Sequence, residues 1–144
     1  MKQVLFLCTG NSCRSQMADG LINQHFSGEI KAYSAGTDPH GLDAKAVEVM
    51  AEIGIDISAH SSDHISLYEN QSFDYVMTLC GDANEKCPLF FGGVKRLHIG
   101  FDDPPKAKGS DEDIIDVYRR VRDEIAGQLG DFFRQELGSR GTTK

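Results

Sequence analysis

An apolar run near the start of the chain restricts the fold more than any other feature of the sequence. Residues 3–7 read Gln-Val-Leu-Phe-Leu, and the turn-forming pair Gly10 and Asn11 follows shortly after. A strand with apolar side chains on both faces is typical of a parallel sheet that is covered by other elements on both sides. The sequence therefore predicts that the chain opens with a buried strand of an α/β fold.

Further strands and helices alternate along the chain. Short apolar runs predict three more strands, at residues 30–35, 74–79 and 94–99. Helical periodicity predicts helices at residues 16–26 and 44–52 and from residue 111 onward, with a short one within 63–68. This order is typical of a single α/β domain over residues 1–144, a three-layer sandwich in which helices flank a four-stranded, mostly parallel sheet. We expect the binding site beyond the carboxyl ends of the strands.

Polar residues and a glycine mark the predicted ends of helices. Ser15 precedes the first helical run and Asp43 precedes the second, and short polar side chains accept hydrogen bonds from the open amides of a first turn. Gly54 stands where the second helix should end. We therefore predict that Ser15 and Asp43 are N-caps, and that residues 139–144 form a frayed tail.

The charge balance argues against several classes of function. Fifteen Lys and Arg face twenty-two Asp and Glu, a net charge of −7, whereas proteins that neutralise nucleic-acid phosphates carry the opposite sign. No stretch reaches the roughly 20 apolar residues of a membrane span, and the first apolar run is too short for a secretion signal. We expect a cytoplasmic monomer, in which the four cysteines serve chemistry or metal binding rather than a permanent disulfide framework.

The loop after the first strand carries the pattern Cys-x5-Arg-Ser. Its residues are, in order, Cys8, Thr9, Gly10, Asn11, Ser12, Cys13, Arg14 and Ser15. Between a strand and a helix, the backbone amides of such a loop can surround an anion, and Arg14 can bind two oxygens of a tetrahedral oxyanion. The same positive field stabilises a thiolate at Cys8. The pattern predicts a nucleophilic Cys8, with Ser15 donating to its sulfur and Asn11 in a left-handed conformation.

A second pair of thiols, Cys80 and Cys87, follows the third predicted strand. A disulfide between them requires the polar segment between them to bend, which Gly81 permits. Half of a zinc site is disfavoured, because the short Cys-x2-4-Cys spacing is absent and no histidine stands at a complementary spacing. Taken alone, the pair is compatible with two unrelated cysteines or with a redox couple.

Residues 8–15 resemble the phosphate-binding loop of the low-molecular-weight protein tyrosine phosphatase superfamily, which includes thioredoxin-coupled arsenate reductases. The segments Thr-Leu-Cys-Gly-Asp, Lys-Cys-Pro and Gly-Phe-Asp-Asp-Pro follow in the order of the reductase branch. This resemblance implies that Cys8 forms a covalent adduct with arsenate and that Cys80 then attacks Cys8 and releases arsenite. Cys87 would next attack Cys80, and thioredoxin would reduce the resulting disulfide. Phosphate and sulfate are expected to compete with arsenate.

The resemblance also implies roles for residues beyond the thiols. Asp103, directly before a proline, would protonate the departing oxygen as a general acid, and Asp102 would be a solvated neighbour. Pro105 stands where the phosphatases carry an aromatic residue beside a phosphotyrosine ring, which disfavours an aryl phosphatase but not a residual phosphatase activity. Phe90 and Phe91 are expected to be core residues in preference to a thioredoxin-docking patch.

Some reductases of this kind hold a potassium ion beside the anion loop. The resemblance places its ligands at Asn11, Asp19, Ser34 and Asp63, whose oxygens suit a hard cation. Asp19 is shorter than the glutamate that is common at this position. No other cofactor is expected, and Cys13 is expected to be a core thiol without a redox role.

Two other functions are compatible with the same residues. A phosphatase of the superfamily could carry Cys80 and Cys87 incidentally, and a redox or oxyanion sensor could use the pair without catalysis. Replacing Cys87 with serine separates the three. A reductase would lose multiple turnover, a phosphatase would be unaffected, and a sensor would show no thioredoxin-dependent turnover at all.

Overall fold

The computed structural model describes residues 1–80 and 93–138. Within these ranges four strands occur, β1 (Lys2–Leu7), β2 (Ile30–Ala35), β3 (Phe73–Cys80) and β4 (Gly93–Phe101). They alternate with three α-helices, α1 (Arg14–His25), α2 (Ala44–Ala51) and α3 (Asp111–Gly138), and with 3-10 helices at Ile65–Tyr68 and Pro104–Lys106. Five features named from the sequence lie outside the described residues: Gly81, Cys87, Phe90, Phe91 and the tail at 139–144.

The strands form one parallel sheet in the order β2-β1-β3-β4. Leu7 of β1 is level with Ala35 of β2 on one side and with Thr78 of β3 on the other. Val4 and Phe6 lie in one apolar cluster, whereas Leu5 and Leu7 lie in another, so both faces of β1 are buried. The predicted buried opening strand and the α/β class are confirmed, and the described sheet is parallel throughout.

Two layers cover the sheet. The α-helices pack on the face that carries Phe6, where Met17 of α1, Val49 of α2 and Phe133 of α3 join one cluster. The opposite face packs against the 3-10 helix Ile65–Tyr68 through its residues Ile65 and Tyr68. Each large side chain buried in this way contributes roughly 1.5–3 kcal/mol of transfer free energy. The core on both faces therefore holds the strand ends in fixed relative positions.

Helix α1 begins at Arg14, two residues before the predicted start, and Ser15 does not cap it. Cys13 occupies the N-cap position, and no side chain caps the helix. The Ser15 hydroxyl lies instead 2.9 Å from the Cys8 sulfur and accepts a hydrogen bond from Asn11 Nδ2 at 2.9 Å. The predicted Ser15 cap is wrong because contacts within the preceding loop take the hydroxyl that a local cap would use.

Asp43 caps α2 as predicted. Its Oδ1 accepts from the Lys45 amide at 2.9 Å, and its Oδ2 accepts from the Tyr118 hydroxyl of α3 at 2.6 Å. Gly54 follows α2 with a φ of +80°, a left-handed conformation that glycine adopts without strain. The cap therefore also joins the N-terminus of α2 to α3.

The carboxyl ends of the strands meet at one edge of the sheet. Cys8 follows β1, Cys80 is the last residue of β3, and Asp102 follows β4. A shift of register after Thr78 brings Cys80 opposite Phe101 in β4. In a parallel sheet this edge is where ligands bind. None of the helices in the described ranges is both long enough and apolar enough to cross a lipid bilayer.

Candidate active site

The anion loop, defined here as residues 8–14, joins β1 to α1. Its carbonyl oxygens are turned outward by hydrogen bonds to neighbouring segments. The donor and acceptor pairs are Asp38 N to Thr9 O at 2.9 Å, His40 N to Gly10 O at 2.9 Å, Gln16 Nε2 to Asn11 O at 2.9 Å, Asp43 N to Ser12 O at 3.0 Å and Met17 N to Cys13 O at 2.9 Å. Because C=O and N–H point to opposite sides of a planar peptide, the amides of the following residues face inward. The loop is therefore built as an anion-binding nest.

Asn11 has the left-handed conformation expected of it, with a φ of 46°. Its side chain is fully buried. Its Oδ1 accepts from the Asp63 amide at 2.7 Å, and its Nδ2 donates to Ser15 Oγ at 2.9 Å. A residue other than glycine keeps a positive φ only where its surroundings determine it. Burial and these two hydrogen bonds hold Asn11 in the left-handed conformation.

Gly36 lies directly behind the anion loop. A Cβ atom at this position would lie 2.4 Å from Thr9 O and 2.7 Å from Cys8 O. Its own amide donates to Asp63 O at 2.9 Å, and its carbonyl accepts from the Ile65 amide at 2.9 Å. Glycine is therefore required at position 36 because any Cβ atom would collide with the backbone of the anion loop, and not because of its backbone conformation.

Cys8 lies at the base of the nest and is only 2% exposed. Its sulfur is 2.9 Å from Ser15 Oγ. Since Asn11 Nδ2 already donates to that oxygen, the Ser15 hydroxyl hydrogen can point to the sulfur. The chain of contacts from Asn11 through Ser15 to Cys8 therefore suits a thiolate, which accepts charge-assisted hydrogen bonds.

Arg14 closes the nest from the side of the neighbouring strands. It is 3% exposed, and its Nη1 donates to Phe101 O at 3.2 Å and more weakly to Leu79 O at 3.5 Å. Its Nη2 is 3.7 Å from Asp103 Oδ2. Its Nε is buried as well. The guanidinium therefore brings a buried positive charge to the anion loop.

The two adjacent aspartates after β4 have different environments. Asp103 is half-buried at the cavity with an extended backbone (φ −91°, ψ 102°), as the following Pro104 requires. Asp102 is exposed and forms an ion pair with Arg120 at 3.0 Å. Of this pair only Asp103 lines the cavity and faces Arg14.

A cavity of about 450 Å³ opens above the anion loop. The loop forms its floor. One wall carries His40, Leu42 and Asp43, and the other carries Asp103, Pro105 and Lys106. The carboxyl group of Asp103 therefore has access to an anion that the loop holds.

The cysteines that the structure describes are all buried and reduced: Cys8, Cys13 and Cys80. Burial, followed by the charges of Asp43, Asp103 and Cys8, raises the pKa of the Cys13 thiol well above its ordinary value. Cys13 is therefore a neutral thiol, in keeping with a core role. Cys80 ends the strand next to the one that Cys8 follows.

The four residues proposed for potassium form two connected pairs beside the loop. Ser34 Oγ donates to Asp19 Oδ2 at 3.2 Å, and the Asp63 amide donates to Asn11 Oδ1 at 2.7 Å. Burial, with the charge of Asp63, raises the pKa of Asp19. Within residues 1–80 and 93–138 there is no cluster of three or more His, Cys, Asp or Glu side chains suited to a metal.

Sequence reasoning missed the groups that orient the anion loop. These are the backbone amides of Asp38, His40 and Asp43, the Ser62 hydroxyl and the Gln16 side-chain amide. Gln16 directly follows the Cys-x5-Arg-Ser pattern, and a polar residue next to the buried Met17 was the available signal. The others are distant in sequence and have no local pattern.

Comparisons with known proteins identify a family and similar relatives. A family model described as low molecular weight phosphotyrosine protein phosphatase matches residues 3–142. An arsenate reductase of Shouchella clausii is 54% identical over 133 residues, which cover 91% of this chain and 94% of that protein.

Solved structures show the same fold. One described as an arsenate reductase in the phosphate binding state has a TM-score of 0.79 at 31% identity and covers 94% of this chain and 98% of its own. The Corynebacterium glutamicum thioredoxin-dependent arsenate reductase has a TM-score of 0.73 at 25% identity over 96% of this chain and 63% of that one. Since the family model spans nearly every residue, the chain belongs to the low molecular weight phosphotyrosine protein phosphatase family.

Proposed function

We propose that this protein is an arsenate reductase that works by a thiol relay. The observation that carries the proposal is the anion loop, in which a buried cysteine lies beneath inward-facing amides and a buried arginine, one strand away from a second reduced cysteine. The 54% identity with an arsenate reductase supports arsenate as the substrate. The likeness to a thioredoxin-dependent reductase supports thioredoxin as the reductant.

Arsenate binding is the first step. The amides of residues 9–14 and the guanidinium of Arg14 surround the tetrahedral oxyanion, whose negative charge the N-terminus of α1 also favours. Arsenic would then lie above the Cys8 sulfur.

Attack by Cys8 forms a sulfur–arsenic bond and breaks one arsenic–oxygen bond. Asp103 donates a proton to the departing oxygen, which leaves as water and not as hydroxide. Arsenic stays in its pentavalent state. The half-buried position of Asp103 near Arg14, at the cavity wall, supports this role.

Cys80 then attacks the Cys8 sulfur. A disulfide forms between them, the electron pair of the sulfur–arsenic bond returns to arsenic, and arsenite leaves with arsenic reduced by two electrons. Cys87 next attacks Cys80 and releases the Cys8 thiolate. The dithiol of thioredoxin reduces the disulfide between Cys80 and Cys87, is itself oxidised to a disulfide, and so restores the reduced enzyme.

The proposal is tested by NADPH consumption in the presence of arsenate, thioredoxin and thioredoxin reductase. We expect turnover that needs every component. Cys87→Ser should release about one arsenite per chain and then stop, because Cys80 can still expel arsenite but cannot pass the disulfide on. Cys8→Ser and Cys80→Ser should release none.

Cys13→Ser is the matched control, because Cys13 is equally buried but has no step in the relay. It should release more than one arsenite per chain, since its place in the anion loop affects the KM for arsenate and not the number of turnovers. The reductase proposal would be refuted if the protein hydrolysed an aryl phosphate but reduced no arsenate. If that hydrolysis survived both Cys80→Ser and Cys87→Ser, the protein would be a phosphatase.

Potassium is a further part of the proposal. Asp19, Ser34, Asp63 and Asn11 would hold it, and the buried negative charge of Asp19 fits a cation. The ion would supply positive charge that offsets the two carboxylates behind the anion loop.

We expect potassium to raise Tm by roughly 3 °C over tetramethylammonium at equal ionic strength, corresponding to about 1 kcal/mol. Burial raises the pKa of Asp19 in the folded protein, so ionised Asp19 destabilises the fold at pH values above that pKa. Below that pKa the carboxyl group is protonated, and the proton removes the negative charge that would bind potassium. The potassium effect should therefore shrink as the pH falls through the folded pKa. Thermal unfolding of Asp19→Asn should show no potassium effect, and an unchanged effect in that variant would exclude this site.

A further inference from the structure

Gln16 is a fully buried polar residue in the first turn of α1. It lies behind the anion loop, on the side away from the cavity. A buried amide that makes no hydrogen bonds would cost about 1–3 kcal/mol, so its partners indicate what it does.

The Gln16 side chain uses both ends of its amide. Its Nε2 donates to Asn11 O at 2.9 Å, to Asn11 Oδ1 at 3.2 Å and to Ser61 O at 2.9 Å. Its Oε1 lies 3.0 Å from His60 Nδ1. Three surrounding acceptors fix which end of the amide is nitrogen, and the remaining contact then requires the hydrogen of His60 to be on Nδ1.

The carbonyl that Gln16 holds belongs to the one residue other than glycine that has a positive φ in the described chain. Asn11 has a φ of 46°. Ser62 Oγ donates to the same carbonyl at 2.9 Å and to Gly10 O at 3.2 Å. These donors keep the Asn11 oxygen on the outer side of the loop.

Rotation of the peptide between Asn11 and Ser12 would reverse this arrangement. The Ser12 amide would leave the concave side, and the Asn11 carbonyl would enter it. One donor to the oxyanion would be lost, and a partial negative charge would face the ligand.

We propose that Gln16 is a positioning residue that holds the anion loop in its anion-binding form through the Asn11 carbonyl. The inference rests on the proposed function of the loop as an oxyanion site. It assigns to Gln16 a role in ligand affinity without contact between Gln16 and the ligand.

The test compares Gln16→Met with Gln24→Met in the full-length reduced protein. Both glutamines lie in α1, but Gln24 is exposed. Binding of inorganic phosphate is measured by calorimetry, and KM and kcat are measured with arsenate. We expect Gln16→Met to raise both the Kd for phosphate and the KM for arsenate by about tenfold or more. Gln24→Met should change neither by more than twofold.

A merely structural role would give a different result. Gln16→Met would then lower the urea midpoint and leave the Kd and KM within twofold of the wild type, which would overturn the inference. Ile125→Val, at a buried core position of α3 that does not line the cavity, shows how these constants respond to lost stability alone.

Ser62→Ala provides a second variant in case Gln16→Met does not fold. It removes one of the donors to the same carbonyl and should raise the phosphate Kd severalfold, and an unchanged Kd would contradict the inference. A wild-type protein that binds phosphate but does not reduce arsenate would refute the proposed function while leaving the role of Gln16 open to the same binding test.

Discussion

Replacing Arg14 with lysine should lower kcat/KM for arsenate by about 100- to 1000-fold, the usual effect of removing a donor that faces developing charge. The guanidinium donates to Phe101 O and Leu79 O, and its Nη2 is 3.7 Å from Asp103 Oδ2. A lysine ammonium is a single point of charge and cannot hold the carbonyls of two strands and an oxyanion at the same time. Positive charge alone is therefore insufficient at this position.

The thioredoxin-coupled assay and phosphate calorimetry measure this effect, with Arg122→Lys as the matched control. Arg122 is also a buried arginine, at 8% exposure, but it donates to Val49 O and Glu52 between α3 and α2. Its replacement should cost about 1–3 kcal/mol of folding free energy and leave kcat/KM within about twofold. A comparable loss of kcat/KM in both variants would mean that Arg14 acts only through stability.

Gly36→Ala should lower kcat/KM for arsenate at least 100-fold, since a misplacement of about 1 Å at a reacting centre can cost that much. Its methyl group would lie 2.4 Å from Thr9 O, 2.7 Å from Cys8 O and 3.0 Å from Asn11 N. These are all backbone atoms of the anion loop, so no flexible side chain can move aside. The strain must displace the loop itself.

Gly54→Ala distinguishes this effect from a general loss of stability. Gly54 has a φ of +80° and open space around its Cα, and it lies after α2, away from the cavity. Alanine there should lower the urea midpoint through backbone strain of about 1 kcal/mol and leave phosphate affinity unchanged. If Gly36→Ala bound phosphate as tightly as the wild type, the loop would have to accommodate the methyl group, contrary to these distances.

Local signals in the sequence predicted much of the fold. The apolar run before Cys8 predicted a buried strand, because few other folds bury both faces of so short a segment. Asp43 was correctly predicted as a cap, since capping depends on the next two residues alone. β2 was found within its predicted bounds at Ile30–Ala35. The pattern from Cys8 to Arg14 predicted the place of the site, and the structure brings Asp103 to it.

The failures involve contacts between residues that are far apart along the chain. Ser15 follows the local rules for a cap, yet it contacts the Cys8 sulfur. The strand predicted at residues 94–99 extends to Phe101, because Phe101 is buried and pairs with Cys80 in β3. The donors that hold the anion loop, such as Ser62 and the Asp38 amide, become its neighbours only after folding. No periodicity in the sequence reports such contacts.

Because its carbonyls are held outward, the anion loop presents a ring of amides that cannot by itself distinguish arsenic from phosphorus. A rigid ring of amides with one arginine recognises a tetrahedron of oxygen atoms and its charge, and it does not sense the atom at the centre. Phosphate and arsenate share that outline, so either can occupy the ring in proportion to its abundance. Only arsenic can accept two electrons when a thiol attacks the bound sulfur, because phosphorus in phosphate is not reduced by thiols. In the proposed relay the choice of element would therefore be made by redox chemistry after binding, and phosphate would be a reversible occupant that slows the cycle without being consumed.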